Sequence, residues 1–186
     1  MKTRTETIKS LKNKRPISCL TSYDALTAKI FDESGIDLIL VGDSASNTVL
    51  GKNSTLPATL EEMIIFGTAV ASSVQSSLVV IDMPYGSYEL SPEQALENSI
   101  RVMKETGADA VKLEGGENRV EAIKLLIENG IPVMGHLGFT PQSVNQMGGF
   151  KVQGRGEQAE QIQQQALMLQ RAGVFSIVLE MVPTDL

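Results

Sequence analysis

The sequence is short of the residues on which several kinds of chemistry depend. Its 186 residues include one cysteine and one histidine, and aromatics make up 4%. A lone thiol, Cys19, cannot close an internal disulfide. It lies in an apolar run, so buried packing is expected, in a reduced cytosolic setting. No Cys/His zinc spacing, Walker loop or Ser/His/Asp triad is present. Basic residues cluster only between Lys12 and Arg15, and the net charge is -6. Nucleic acid is therefore not an expected partner. No apolar run approaches the ~20 residues that cross a bilayer, which argues against a membrane partner. The stretch Met1-Lys-Thr-Arg-Thr-Glu6 lacks the apolar segment of a secretory signal, so a cytoplasmic location is expected.

What is present is ordinary for a folded domain: 42% hydrophobic and 20% charged residues. Residues 1–186 are expected to form a single domain. Strand-like and helix-like segments alternate. Strands are expected at Ile17–Leu20, Leu38–Val41, Leu78–Ile81, Ala110–Lys112, Pro132–Met134 and Phe175–Leu179. Helices are expected at Tyr23–Ser34, from a Thr59 cap with Glu62 at capping-box spacing to Ser73, from Ser91-Pro92 to Thr106, at Asn118–Asn129 and at Glu157–Ala172. The Ser44–Ala58 and Gly135–Gly156 connections read as long functional loops.

Short, nearly all-apolar strands separated by helices indicate a parallel sheet covered on both faces. A doubly wound sheet and a (β/α)8 barrel both satisfy this pattern. No Gly-x-Gly-x-x-Gly follows the first strand, which weighs against a dinucleotide site. Acids close several strands: Asp43, Asp82, Glu114 and Glu180. In a barrel they would gather at one rim, where such folds place their chemistry. Carboxylates at one spot repel unless a cation or proton intervenes, which suggests an oxygen-liganded divalent metal and a spare carboxylate as base. Six strand–helix units are visible where a closed barrel needs eight, so the chain reads as a barrel shortened after strand six.

The motifs Thr21-Ser-Tyr-Asp24, Leu38-Ile-Leu-Val-Gly-Asp-Ser44, Thr55-Leu-Pro57, Asp82-Met-Pro-Tyr-Gly-Ser-Tyr88 and Gly107-Ala-Asp-Ala-Val-Lys-Leu-Glu-Gly-Gly116 run in order. They continue with Pro132-Val-Met-Gly-His136, Thr140-Pro-Gln-Ser-Val144, Lys151-Val-Gln-Gly-Arg155 and Val178-Leu-Glu-Met-Val-Pro183. In this series the sequence resembles the ketopantoate hydroxymethyltransferase family. The resemblance implies a (β/α)8 TIM barrel of the phosphoenolpyruvate mutase/isocitrate lyase-like type. It implies a Mg2+-dependent transferase that moves a hydroxymethyl group from 5,10-methylenetetrahydrofolate to 3-methyl-2-oxobutanoate, the first step of pantothenate synthesis, and a homo-oligomer, commonly a decamer. By motif, Asp43, Asp82 and Glu114 correspond to metal-site acids. Asp43, Ser44, Asp82 and Lys112 correspond to substrate contacts, and Glu180 to the proton acceptor. Two stretches depart from the pattern: Ala45-Ser46 replaces an expected Leu-Gly, and Met63-Ile-Ile-Phe-Gly67 replaces expected polar residues.

The residues support such chemistry on their own terms, each against a plainer reading. Asp43 and Asp82 could be turn or cap aspartates. Glu114 could be a solvated loop acid, or could hold a metal-bound water. Lys112 could snorkel, or could pair with a substrate carboxylate. Ser44 could make a local turn or a substrate contact. Glu180, after an apolar run, could form an ion pair, or act as a base with raised proton affinity. His136, the single histidine, is placed in the substrate pocket by position. Tyr23 and Asp24 read as residues that open a helix. The competing functions are another Mg2+-dependent barrel acting on 2-oxoacids and an inactive assembly subunit.

Overall fold

Apolar runs too short for helices set the architecture. In the computed structural model, which describes residues 2–186, six of them form one parallel sheet in chain order. The strands are β1 (Cys19–Thr21), β2 (Leu38–Val41), β3 (Leu78–Asp82), β4 (Ala110–Glu114), β5 (Val133–Gly138) and β6 (Ser176–Glu180). Parallel neighbours need a crossover. The longer helices in those crossovers are α2 (Ala25–Glu33), α4 (Leu60–Ala71), α5 (Pro92–Thr106), α6 (Val120–Glu128) and α8 (Gln158–Ala172). Shorter helices are α1 (Thr5–Ser10), α3 (Ala45–Thr48) and α7 (Val144–Met147).

Helices begin where the sequence supplies a cap. Asp24 accepts the Thr27 N–H at 2.8 Å. Thr59 and Glu62 form the reciprocal capping box at 3.1 and 2.9 Å. Ser91 accepts the Gln94 N–H at 3.2 Å, with Pro92 next in line. Helix α5 ends at Gly107, whose φ of 74° is the left-handed conformation that glycine adopts without strain.

Two apolar layers result. The first joins strand residues such as Ile39, Ile81 and Leu113 to Met63, Val102 and Leu126 on the helices. The second lies on the other face of the sheet: Leu38, Leu78, Val80, Ala110, Met134 and Phe175, closed off by Ile8 of α1. Residues two apart on a strand share a face. Val80 and Asp82 therefore point the same way, as do Ala110, Lys112 and Glu114 on β4, and Met134 and His136 on β5. The sheet curls far enough that Thr21 of β1 and Glu180 of β6 line one cavity although their strands do not pair. The inner layer thus has an apolar floor and a polar rim.

Two aspartates tie the opposite end together. Asp37 accepts from both terminal nitrogens of Arg15 (2.8 and 2.6 Å) and from the Ser18 N–H (2.9 Å). Asp32 accepts the N–H groups of Gln75, Ser76 and Ser77, fixing the turn into β3.

Several expectations need correction. Cys19 is exposed, not buried, because β1 is an edge strand paired only with β2 and none of its residues is covered. Strand β4 runs two residues further than expected, which brings Glu114 onto it. Strand β5 runs to Gly138, so His136 stands on a strand rather than in a loop. The Gly135–Gly156 connection also contains α7, and a 3-10 turn at Glu117–Arg119 precedes α6.

Candidate active site

Strand ends β2 to β6 each deliver one or two polar side chains to the rim. Asp43 follows β2, Asp82 ends β3, Lys112 and Glu114 stand two apart on β4, His136 is on β5 and Glu180 ends β6. Asp43, Asp82, Lys112, Glu114 and His136 are each at most 5% exposed, although all are polar. Groups buried this deeply must be paired.

The pairing is specific. Lys112 Nζ lies 2.7 Å from Asp82 Oδ1 and 3.2 Å from His136 Nδ1. Its approach to Oδ1 is that of an ion pair; the oxygen receives no well-aligned hydrogen bond. The other Asp82 oxygen accepts the Asp43 N–H at 3.0 Å. The two aspartates are therefore adjacent, as one convergent site requires. Glu114 Oε1 is 3.4 Å from His136 Nδ1, and Oε2 accepts the Gln142 N–H at 3.0 Å. His136 Nε2 is 3.3 Å from Glu180 Oε2. Tyr23 and Ser44 share a hydroxyl hydrogen bond at 2.8 Å.

Electrostatics follow from this geometry. Burial, reinforced by Asp82, raises the Asp43 carboxyl to about 7. Burial also raises Asp82, although Lys112 opposes it. For Lys112, burial disfavours the ammonium, but Asp82 and Glu114 outweigh it and hold the pKa above the ordinary lysine value. His136 is pulled down by burial and Lys112, yet Glu114 and Glu180 leave it raised. Glu180 differs from its expected setting. Its side chain is 40% exposed rather than enclosed in apolar residues, because β6 is the sheet's other edge.

These groups face a cavity of ≈ 260 Å³ lined by four carboxylates (Asp43, Asp82, Glu114, Glu180) and one ammonium, Lys112. An anionic ligand enters such a site only with added positive charge. Among the described residues, no three His, Cys, Asp or Glu side chains converge as a ready-made metal site. Mg2+ needs only one or two protein carboxylates. Two buried, mutually repelling aspartates, one with an oxygen lacking an aligned donor, fit that demand.

The comparisons decide the family. The family model described as ketopantoate hydroxymethyltransferase matches residues 2–186. The chain belongs to the ketopantoate hydroxymethyltransferase family. A 3-methyl-2-oxobutanoate hydroxymethyltransferase of Leifsonia xyli subsp. xyli is 58% identical over 166 residues, covering 89% of this chain and 60% of that protein. The enzyme of the same name from Corynebacterium efficiens is 53% identical over 186 residues, 100% of this chain and 69% of its own length. The chain thus spans about 60% of the first of these relatives and 69% of the second. Among solved structures, a phosphonopyruvate hydrolase complex with oxalate and Mg++ superposes with a TM-score of 0.73 at 13% identity, covering 97% of this chain and 63% of that one. A 2,3-dimethylmalate lyase of the PEP mutase/isocitrate lyase superfamily gives 0.67 at 16%, covering 97% and 62%. At that identity the likeness establishes the fold alone: six parallel strands and their connecting helices, as in part of a barrel of the phosphoenolpyruvate mutase/isocitrate lyase type.

Within this family member, the residues singled out from sequence come together. Asp43, Ser44, Asp82, Lys112, Glu114, His136 and Glu180 all line the same cavity. Sequence reasoning missed Gln142. Its side-chain amide donates to Asp43 Oδ2 at 2.9 Å and to the Met83 carbonyl at 3.0 Å, and its carbonyl accepts from the Tyr88 hydroxyl. Gln142 therefore links loops after three strands. The signal was present in the Thr140-Pro-Gln-Ser-Val144 motif, but a glutamine in a loop carries no chemical signature of its own. Tyr23, read only as a residue opening a helix, also orients Ser44. The Ala45-Ser46 departure is accommodated: both residues are buried, and the Ser46 hydroxyl donates to the Ser54 carbonyl at 2.9 Å, pinning α3 to the next loop.

Proposed function

We propose that this chain carries the site of a 3-methyl-2-oxobutanoate hydroxymethyltransferase, which uses 5,10-methylenetetrahydrofolate as one-carbon donor and Mg2+ as cofactor. One observation carries the reading. A buried ammonium, Lys112, stands between paired aspartates and the single histidine, across a small cavity from the half-exposed carboxylate of Glu180. That is an anion-binding group opposite a base, which is what deprotonating a 2-oxoacid requires.

Each residue then has a task. Lys112 attracts the substrate carboxylate as a point charge. Ser44, held by Tyr23, offers a hydroxyl to the same ligand. His136 Nε2 lies 3.3 Å from Glu180 Oε2 without a well-aligned hydrogen bond, close enough for a protonated imidazole to attract that carboxylate. Asp43 and Asp82 would hold Mg2+, with Glu114 beside them bound to Gln142. When bound, Mg2+ supplies positive charge that favours the anionic substrate and the enolate form.

The bond changes balance. Glu180 takes the C3 proton, and the C–H electron pair moves into the C2–C3 bond. That pair forms the new bond to the one-carbon unit, whose bonds to the folate nitrogens break with the electrons going to nitrogen. Water supplies the hydroxyl oxygen, and the protons released replace the carbon on the two nitrogens. Glu180→Gln is expected to slow deuterium exchange at C3 of 3-methyl-2-oxobutanoate by about 10²-fold or more. Exchange at the parent rate, followed by proton NMR, would overturn the assignment.

Assembly as a homo-oligomer, a decamer by resemblance to the family, is part of the same reading. Leu26 and Ile30 on α2 and Ile65 on α4 are exposed and give an apolar face for it. A cytoplasmic setting is proposed too; among the described residues no helix is long and apolar enough to cross a membrane.

A further inference from the structure

The proposed base has little to hold its side chain. Glu180 ends an edge strand, and its side chain is 40% exposed. Its near neighbour, His136 Nε2 at 3.3 Å, makes no well-aligned hydrogen bond to it. A general base must stand within hydrogen-bond reach of the proton it takes. The place of this carboxylate therefore has to come from the backbone that carries it.

That backbone is unusual. Among the described residues, two that are not glycine have positive φ: Asn13 at 61° and Met181 at 48°. Asparagine visits this region readily, whereas a long side chain such as methionine enters it against a clash of its Cβ with the following carbonyl. Met181 directly follows Glu180 and is 37% exposed, so burial of its side chain does not account for the conformation. Its neighbours do. Residues two apart on a regular strand share a face. Glu180 lines the polar cavity, yet Val182 packs against the layer between sheet and helices. One left-handed residue between them makes that reversal. Pro183 then holds Val182 in an extended conformation.

The turn is clamped on both sides. The Phe139 N–H donates to the Glu180 carbonyl at 2.8 Å, and the Gln153 N–H donates to the Met181 carbonyl at 2.9 Å. The first bond depends on Gly138, whose φ is 88°. A Cβ there would stand 2.7 Å from Val182 Cγ1 and collide with the Glu180 carbonyl oxygen. Backbone strain of this kind persists only where the surroundings over-determine it, and it gathers at sites that must be pre-organised. We propose that the left-handed turn at Met181, clamped at Gly138 and Gln153, fixes the position of the Glu180 carboxylate, which makes Met181 a positioning residue. The inference rests on the assignment of Glu180 as the base.

Two variants at one exposed position test it. Met181→Gly frees the turn to leave the left-handed region. It is expected to lower kcat for C3 deuterium exchange about tenfold or more, as small misplacements of reacting groups do. KM for 3-methyl-2-oxobutanoate should stay at the parent value, because Lys112 and Ser44 are untouched. Met181→Asn keeps a side chain that accepts the left-handed conformation and is expected to exchange at about the parent rate. Rates are referred to the folded fraction, measured by thermal melts, so a residue that served stability alone would leave kcat unchanged in both. The nuclear Overhauser effect between the Glu180 γ-methylene and the His136 ring reads the same position without any reaction. It should weaken in Met181→Gly and persist in Met181→Asn. Parent kcat or a parent Overhauser effect in Met181→Gly, or a Met181→Asn as slow as Met181→Gly, sinks the proposal. A parent protein that exchanges no deuterium, or a Glu180→Gln that exchanges at the parent rate, sinks the base assignment instead, and the Overhauser contrast alone then decides whether the turn positions the carboxylate.

Discussion

Lys112 shows how a single residue can be indispensable for two reasons. It neutralises Asp82 at 2.7 Å in a site where both are nearly inaccessible. Removing one partner of such a pair leaves an uncompensated charge, which typically costs about 3–5 kcal/mol. Lys112→Met is therefore expected to destabilise the fold by that order and to abolish binding of 3-methyl-2-oxobutanoate. The double variant Lys112→Met/Asp82→Asn is expected to regain much of the stability and none of the binding, as urea denaturation and calorimetry would record. Asp37 is the corresponding residue at the far end of the sheet. Arg15, acting through hydrogen bonds, holds its carboxyl well below the usual range. Its contribution is present at neutral pH and fades as pH falls below the ordinary value of 3.8, where the unfolded chain takes up a proton that the folded chain refuses. Asp37→Asn is expected to cost about 2 kcal/mol at pH 7. The gap to the parent should narrow by pH 3 in denaturant melts.

At the scale of elements, what the sequence reveals depends on whether one segment carries its own signal. The strands were readable because runs such as Leu78–Ile81 are continuously apolar, and α4 and α5 because Thr59, Glu62 and Ser91 announce their starts. Asp43 and Asp82 were readable as a pair because each closes such a run. Helix α1 was not. It has six residues, mostly polar, and a single buried one, Ile8, whose partners come from strands far along the chain. No local window contains that information. Gln142 escaped for the same reason: its worth lies in reaching Asp43, Met83 and Tyr88, none of them close in sequence. The depth of Glu180 was misjudged because an apolar run signals a strand, not whether a neighbour covers it. Helix α1 yields its own prediction. Ile8→Ala opens the floor of the inner layer and is expected to cost about 2–4 kcal/mol. Exchange at C3, set by side chains at the opposite rim, should persist in the folded fraction; its loss would show that floor and rim move together.

For the whole molecule, the decisive property is curvature. A flat sheet with the same strands would scatter Asp43, Lys112 and Glu180 along a row. Curling brings residues from every strand around one space and sets a dry floor beneath them, so buried charges are forced to answer to one another. The same curl leaves β1 and β6 as unpaired borders on either side of the opening. The single thiol of the chain, Cys19, stands on one of those borders. A maleimide dye would therefore attach at one place without any engineering. Burial raises the Cys19 thiol, so the reaction is expected to quicken with pH, and at any one pH its rate would report on whatever strand comes to pair with that border: faster while the border is bare, slower once it is covered.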